Sequence, residues 1–224
     1  METTKKVRIS KKHAVRKKEI LDKAQILFTT KGYSKSTVND ILESVGIAKG
    51  TFYHYFKSKE EVMDALIMRF ISFTADIIEQ KINEKGKNAM EKLRDVHCAN
   101  YRAIPGFEEI FLQLKYSDNA EMQYKIALKT IRKISPIYMR LIEQGIAEGI
   151  FKTEYPREFS EFMLVFSQFI FDNDMLDIPR EMLAEKAKAG ASFIERILGV
   201  KKGALDFLIQ KYAYPAKIPL KTEQ

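Results

Sequence analysis

The stretch ILESVGIAKGTFYHYFKSKE, Ile41 to Glu60, decides the fold of this chain. Val45-Gly46-Ile47 reads as a tight turn, because glycine takes the positive φ that ends a helix and lets the chain reverse. Ile47 and Phe52 then stand at N′ and N4 around a cap at Ala48, the spacing of a hydrophobic staple that fixes how a second helix leaves the turn. Phe52 and Phe56 lie one helical turn apart and can face a core. Lys49, Gly50, Thr51, Tyr53 and His54 remain on the other side, rich in donors and free of acids. A short helix with an apolar back and a cationic, hydroxylated front, delivered by a tight turn, is the recognition half of a helix-turn-helix.

The flanks supply the rest of a small helical domain. Upstream, Ile20, Ala24, Leu27 and Phe28 repeat at helical spacing and predict a helix from about Val15 to Lys31, stopped by Gly32. Ser36 or Thr37 caps the next helix, with Asp40 at capping-box spacing from Thr37, and Ile41, Leu42 and Val45 give that helix its core face. Downstream, Ser58 and Glu61 form another such box. The stripe Val62, Leu66, Phe70, Phe73, Ile77 carries a fourth helix to about Asn83.

From Gly32-Tyr33 through Thr37-Val38-Asn39-Asp40-Ile41 to Val45-Gly46-Ile47-Ala48-Lys49-Gly50-Thr51-Phe52-Tyr53-His54-Tyr55-Phe56-Lys57-Ser58-Lys59-Glu60, the sequence resembles the DNA-binding domain of the tetracycline-repressor (TetR) family. The resemblance covers roughly residues 14 to 65 and is carried above all by the run Lys49 to Phe56. It departs at Ala48, where members commonly have Ser or Thr. The missing hydroxyl removes a side-chain cap, a loss of about 1 kcal/mol. The resemblance implies a homodimer on a pseudo-palindromic operator, with Tyr53 and His54 touching phosphate and base. It also implies that Tyr33 packs within the small domain.

The residues themselves add further contacts. Lys49 and Thr51 suit a base edge or a phosphate. Gly50 costs helix stability, which suggests close approach of backbone to DNA. Lys59 and Thr37 stand at helix starts, where free N–H groups and the dipole attract phosphate. Tyr33, Phe52 and Phe56 are expected in the core.

Charge agrees with this placement. The net charge is +8; residues 1–60 hold 14 Lys and Arg against 6 Asp and Glu, and the rest of the chain holds 24 of each. All of the surplus therefore sits beside the motif, as a polyanion-binding domain requires. Residues 1–13, with Lys5, Lys6, Arg8, Lys11 and Lys12, are expected as a flexible basic arm able to lie along DNA.

Beyond Gly86 the chain reads as helices only, with no period-2 strand pattern and no internal repeat. Helices are expected over Asn88 to Arg102, Phe107 to Tyr116, Ala120 to Gly149 (kinked or broken near Ser135 by Pro136), Phe159 to Asn173 and Arg180 to Leu198. The expected fold is all-α, about nine helices. A basic arm, 1–13, precedes a helix-turn-helix domain, 14–60. A larger ligand-binding and dimerisation domain, 61–203, and an extension, 204–224, follow.

Phe162, Phe166 and Phe169 form one stripe, and Leu183, Ala187, Ala191, Ile194 and Leu198 another, with Gly190 among the small residues that permit close helix approach. Burial inside one subunit is one reading. The other, which the family resemblance supports, is a four-helix dimer interface. The resemblance also implies a pocket for a small, largely apolar effector in this region. His97, Tyr101, Arg102, Phe107, Phe111, Gln113, Tyr138 and Phe166 are the candidates to line it.

Other chemistry finds little footing. His97-Cys98 is the one His/Cys neighbourhood, but adjacent helical residues point about 100° apart and no acid at an obvious spacing orients the imidazole. Three scattered histidines and one cysteine make no metal spacing, and phosphate-binding glycine loops are absent, so neither metal nor cofactor is expected. Phe162 to Phe171, the longest greasy stretch, falls far short of the ~20 residues that span a bilayer. A single cysteine and no apolar segment after the basic start fit a cytoplasmic protein. The expectation is a ligand-switched transcriptional regulator, most often a repressor in that family. A same-fold regulator controlled by a protein partner is the first alternative, and a helical enzyme using His97 and Cys98 a distant one.

Overall fold

The computed structural model describes residues 2–99, 120–167 and 179–209. Among them are eight α-helices and no strand: α1 (Glu2–Lys31), α2 (Val38–Val45), α3 (Lys49–Tyr55), α4 (Lys59–Ile82), α5 (Ala89–Cys98), α6 (Ala120–Ala147), α7 (Pro156–Ser167) and α8 (Arg180–Leu198). The all-α expectation holds. The segment Phe107 to Tyr116 and the last residues expected of the Phe159 helix lie outside the described residues.

Three expectations differ. Helix α5 ends at Cys98, with Ala99 already extended at φ -61° and ψ 135°, where the helix was expected to reach Arg102. Helix α1 starts at Glu2 rather than near Val15, so the basic segment continues the first helix instead of forming a separate arm. No Pro or Gly interrupts residues 2–31, and Lys and Arg are good helix formers, so nothing local stops propagation. Helix α6 runs uninterrupted through Pro136, where a kink or break was expected. Pro136 itself is exposed while Ser135 and Ile137 beside it are buried, so the ring stands on the solvent side. There the ladder tolerates a missing N–H best.

The chain divides into two compact units, residues 1–74 with 100–129, and 75–99 with 130–224. In the first, Ile20, Ala24, Phe28, Ile41, Phe52 and Leu66 are fully buried. Those positions are the apolar faces read from the sequence. Arg69 on α4 reaches back to α1, bonding the Asp22 carboxylate at 2.6 Å and the Gln25 side chain. In the second, Val96, Ile142, Leu198 and Leu205 are buried to the same degree. Lys92, itself buried, donates to Gln144 Oε1 at 2.9 Å, and the Glu148 carboxylate accepts the Ala89 N–H at 2.8 Å, so α5 and α6 are joined by polar as well as apolar contact.

After α8 the chain turns back on itself. The buried Glu195 carboxylate accepts the Leu205 N–H at 3.0 Å, and Leu205 and Phe207 are buried. The start of the C-terminal extension is thus part of the second unit's core.

Candidate nucleic-acid interface

The turn between α2 and α3 is built as its residues dictate. Gly46 sits in the left-handed region at φ 72°, and its N–H donates to Leu42 O at 2.9 Å. A side chain here would force that φ on a β-carbon, which only Gly tolerates cheaply. At the other end of α2 the capping box is complete. The Thr37 hydroxyl accepts the Asp40 N–H at 3.2 Å, and the Asp40 carboxylate accepts the Thr37 N–H at 2.8 Å. Lys31 also binds that carboxylate, at 2.6 Å. The Lys31 hydrogen bond, then those from the Thr37 backbone and side chain, hold the Asp40 pKa down at about 2.

Helix α3 is one-sided. Phe52 and Phe56 are buried, while Lys49, Gly50, Thr51, Tyr53 and His54 are all exposed on a helix with no acid in its first turn. Ala48 caps it with backbone alone. A β-carbon built on Gly50 would meet nothing within 4 Å, so no contact among the described residues demands glycine there. The Lys49 ammonium lies 6.0 Å from the Tyr53 ring centroid, on the same face. Five groups that can donate to, or let backbone approach, a polyanion therefore share one open surface.

The structure gives Lys59 a different duty from the phosphate contact expected of it. Its ammonium donates to Tyr33 O and Ser36 O, each at 2.9 Å, and lies 4.3 Å from the Tyr33 ring centroid. It braces the start of α4 against the turn between α1 and α2. Tyr33, expected in the core, is only half-buried: its ring packs edge-on against Phe28, with centroids 5.2 Å apart, while the rest of it reaches the surface. Burial first, then the Glu60 carboxylate, pushes its hydroxyl pKa up to about 12. The box at α4 is also displaced by one residue. Ser58 Oγ accepts the Glu61 N–H at 3.3 Å, but the Glu61 carboxylate accepts from Lys57 N–H, at 2.6 Å.

Two residues on this surface carried no role in the sequence reading. His13 and Tyr55 pack against each other and against His54. Their spacing, from within α1 to the end of α3, has no periodicity that would reveal it.

Three of the eight residues expected to line the effector pocket, His97, Tyr138 and Phe166, fall among the described residues. Tyr101, Arg102, Phe107, Phe111 and Gln113 lie outside them. His97 packs against the Phe207 ring at 5.7 Å, and Phe166 lies over Gly190, where an added β-carbon would come within 2.7 Å of its ring. Burial raises the pKa of the Tyr138 hydroxyl well above the usual tyrosine range. One open groove among the described residues, about 710 Å³, has Lys188, Glu195, Lys202 and Asp206 beside Ala191 and Ile209, and none of the expected effector residues lines it.

The interface stripe also needs correction. Ala187, Ala191 and Leu198 are buried within the single chain, and Gly190 makes room for Phe166 of the same chain. The small residues serve the packing of α7 on α8, so they are not free to meet a symmetry mate. Leu183 and Ile194 are half-buried, and Phe169 lies outside the described residues. Phe162, from the expected stripe, does point outward at 71% exposed, and with it stand Phe193, 57%, Ile197, 54%, Val165 and Met182.

A buried-backed, cationic second helix after a glycine turn defines a helix-turn-helix DNA-binding protein. Sequence profiles carry the assignment further. Residues 20–66 match the bacterial regulatory proteins of the tetR family, and residues 108–193 match the tetracyclin repressor-like C-terminal domain. The chain belongs to the TetR family of transcriptional regulators.

An uncharacterized HTH-type transcriptional regulator of Bacillus subtilis, YhgD, is 31% identical over 140 residues, covering 60% of this chain and 69% of that protein. The HTH-type transcriptional repressor KstR2 of Mycolicibacterium smegmatis is 28% identical over 63% of this chain and 70% of its own length. The fatty acid metabolism regulator protein of Bacillus subtilis is 30% identical over 59% and 66%. In fold, the solved structure of RolR with resorcinol matches at a TM-score of 0.60 and 16% identity, over 90% of this chain and 96% of that one. The first two of these relatives are named as regulators of transcription. Among the described residues, no helix is long and apolar enough to cross a membrane, and no cluster of three metal-ligating side chains occurs.

Proposed function

We propose that this regulator is a homodimeric repressor whose binding to a pseudo-palindromic operator is switched by a small, largely apolar molecule. The observation that carries the DNA-binding half is the open face Lys49, Gly50, Thr51, Tyr53, His54 on a helix whose opposite side is anchored by buried Phe52 and Phe56. Lys49, Thr51 and His54 are the base-reading candidates. Tyr53 and the Thr37 end of α2 serve phosphate. Residues 14–60 form the reading domain and 61–203 the sensing and dimerising one.

Dimerisation rests on the exposed Phe162, Val165, Met182, Phe193 and Ile197 of α7 and α8. Large apolar side chains gathered on two helices mark an interaction surface. A two-fold dimer covers such a patch with its own copy and gives two recognition helices for two half-sites. Switching is supported by α4, a single uninterrupted helix from Lys59 to Ile82 with residues in both compact units. An effector that prefers one setting of that helix also changes operator affinity, and linkage makes the effect reciprocal, typically about 5- to 150-fold.

The name of one relative ties it to fatty acid metabolism, so fatty acids are the effector class to try first. The experiment is titration of a selected duplex by the protein with and without saturating effector. A shift of operator affinity within the linkage range is expected. Equal affinities across the aliphatic panel would refute the apolar-effector reading and favour control by a protein partner.

A further inference from the structure

Helix α3 has seven residues, and its backbone hydrogen bonds leave the side-chain rotamers of its last turn to be set by packing. Buried Phe52 and Phe56 hold its back. His54, on the open face, has no such anchor within the helix-turn-helix. What it has is a contact from α1. The His13 ring lies 4.5 Å from the Tyr55 ring at an interplanar angle of 39° and meets His54 edge-on at 5.5 Å and 78°. His54 and Tyr55 are themselves 5.1 Å apart and nearly perpendicular. Adjacent residues of a helix point about 100° apart, so a third ring touching both restricts both.

We propose that His13 is a positioning residue for DNA reading: by packing on Tyr55 and His54 it fixes the His54 rotamer and so sets base preference at the step His54 faces. The inference rests on the DNA-binding reading above. His13 and His54 are exposed, so the contact contributes little to folding and much to order at the surface that meets DNA.

The test is selection from a random duplex library with wild type, His13→Ala, His13→Phe, His54→Ala and the double variant His13→Ala/His54→Ala, alongside thermal melts. His54→Ala identifies the position that His54 reads. His13→Ala should flatten preference at that same position by about two- to tenfold, the worth of one aromatic pair, with melting temperature and salt slope unchanged. In the double variant, loss of His13 should add nothing further. His13→Phe keeps the ring and should keep the profile.

An unchanged profile in His13→Ala would overturn the inference. So would a uniform loss over all sequences with a shallower salt slope, which marks a phosphate contact. Failure of His13→Phe to rescue would also overturn it, since a ring nitrogen rather than packing would then be what matters. A wild type that enriches no sequence would instead sink the regulator reading itself, and this inference with it.

Discussion

Gly50→Ala separates folding from DNA binding, because the two should move in opposite directions. Gly50 is the second residue of α3 and lies on its exposed face. Its φ is not positive, and an added β-carbon meets no atom within 4 Å. In the free protein the substitution therefore costs nothing sterically. It removes backbone freedom from the unfolded chain, worth up to about 1 kcal/mol. For a chain of this length that raises the melting temperature by roughly 2–4 °C. On DNA the new methyl stands where backbone is expected to approach closely. Forcing an extra methyl group into a packed contact typically costs about 1–3 kcal/mol, or roughly 5- to 150-fold in affinity. Circular dichroism melts and fluorescence anisotropy on a selected duplex read the two effects separately. A more stable variant that binds DNA as tightly as wild type would refute the close approach and leave Gly50 without a role.

Other substitutions test the remaining contacts. Lys59→Ala removes a charged donor from two carbonyls and should cost about 1–3 kcal/mol of stability while leaving base preference intact; an unchanged melt would mean the brace to Tyr33 and Ser36 carries no load. Ile197→Glu places a charge on a residue 54% exposed in the single chain, so the fold should survive while sedimentation shows monomer; an intact dimer would move the interface elsewhere. Asp40 has its pKa lowered to about 2 in the folded chain, so its stabilising contribution is present above the unfolded carboxylate value and is lost as pH falls toward 2. Acid melts should therefore show the advantage of wild type over Asp40→Asn shrinking between about pH 4 and 2, and a constant gap would dissociate the capping box from this stability.

What the sequence made legible follows the strength of local signals. Gly46, Thr37-x-x-Asp40 and the Phe52/Phe56 pair each act through neighbours within a few residues. The turn, the cap and the buried back of α3 accordingly stand where they were expected. Lys59 was read as an anion site from its place at a helix start, but its partners are 23 and 26 residues away in sequence and no spacing announces them. Ala187, Ala191 and Leu198 show the limit of a stripe. Periodicity finds an apolar face but does not say which of two neighbours covers it, and here the chain's own α7 reaches Gly190 first. Pro136 was read by its general effect, while its position on the exposed side of α6 decided the outcome.

The central claim is sequence-specific reading of DNA by the open face of α3, and the ratio of two affinities tests it most directly. Wild-type protein is titrated against the duplex enriched from a random library and against a scrambled duplex of equal composition, at one fixed salt concentration. The account predicts a two-fold symmetric enriched site bound roughly 10³-fold or more tightly than the scrambled one, with the ratio collapsing in Lys49→Ala. Equal affinity for the two duplexes, or a ratio untouched by Lys49→Ala, would contradict it.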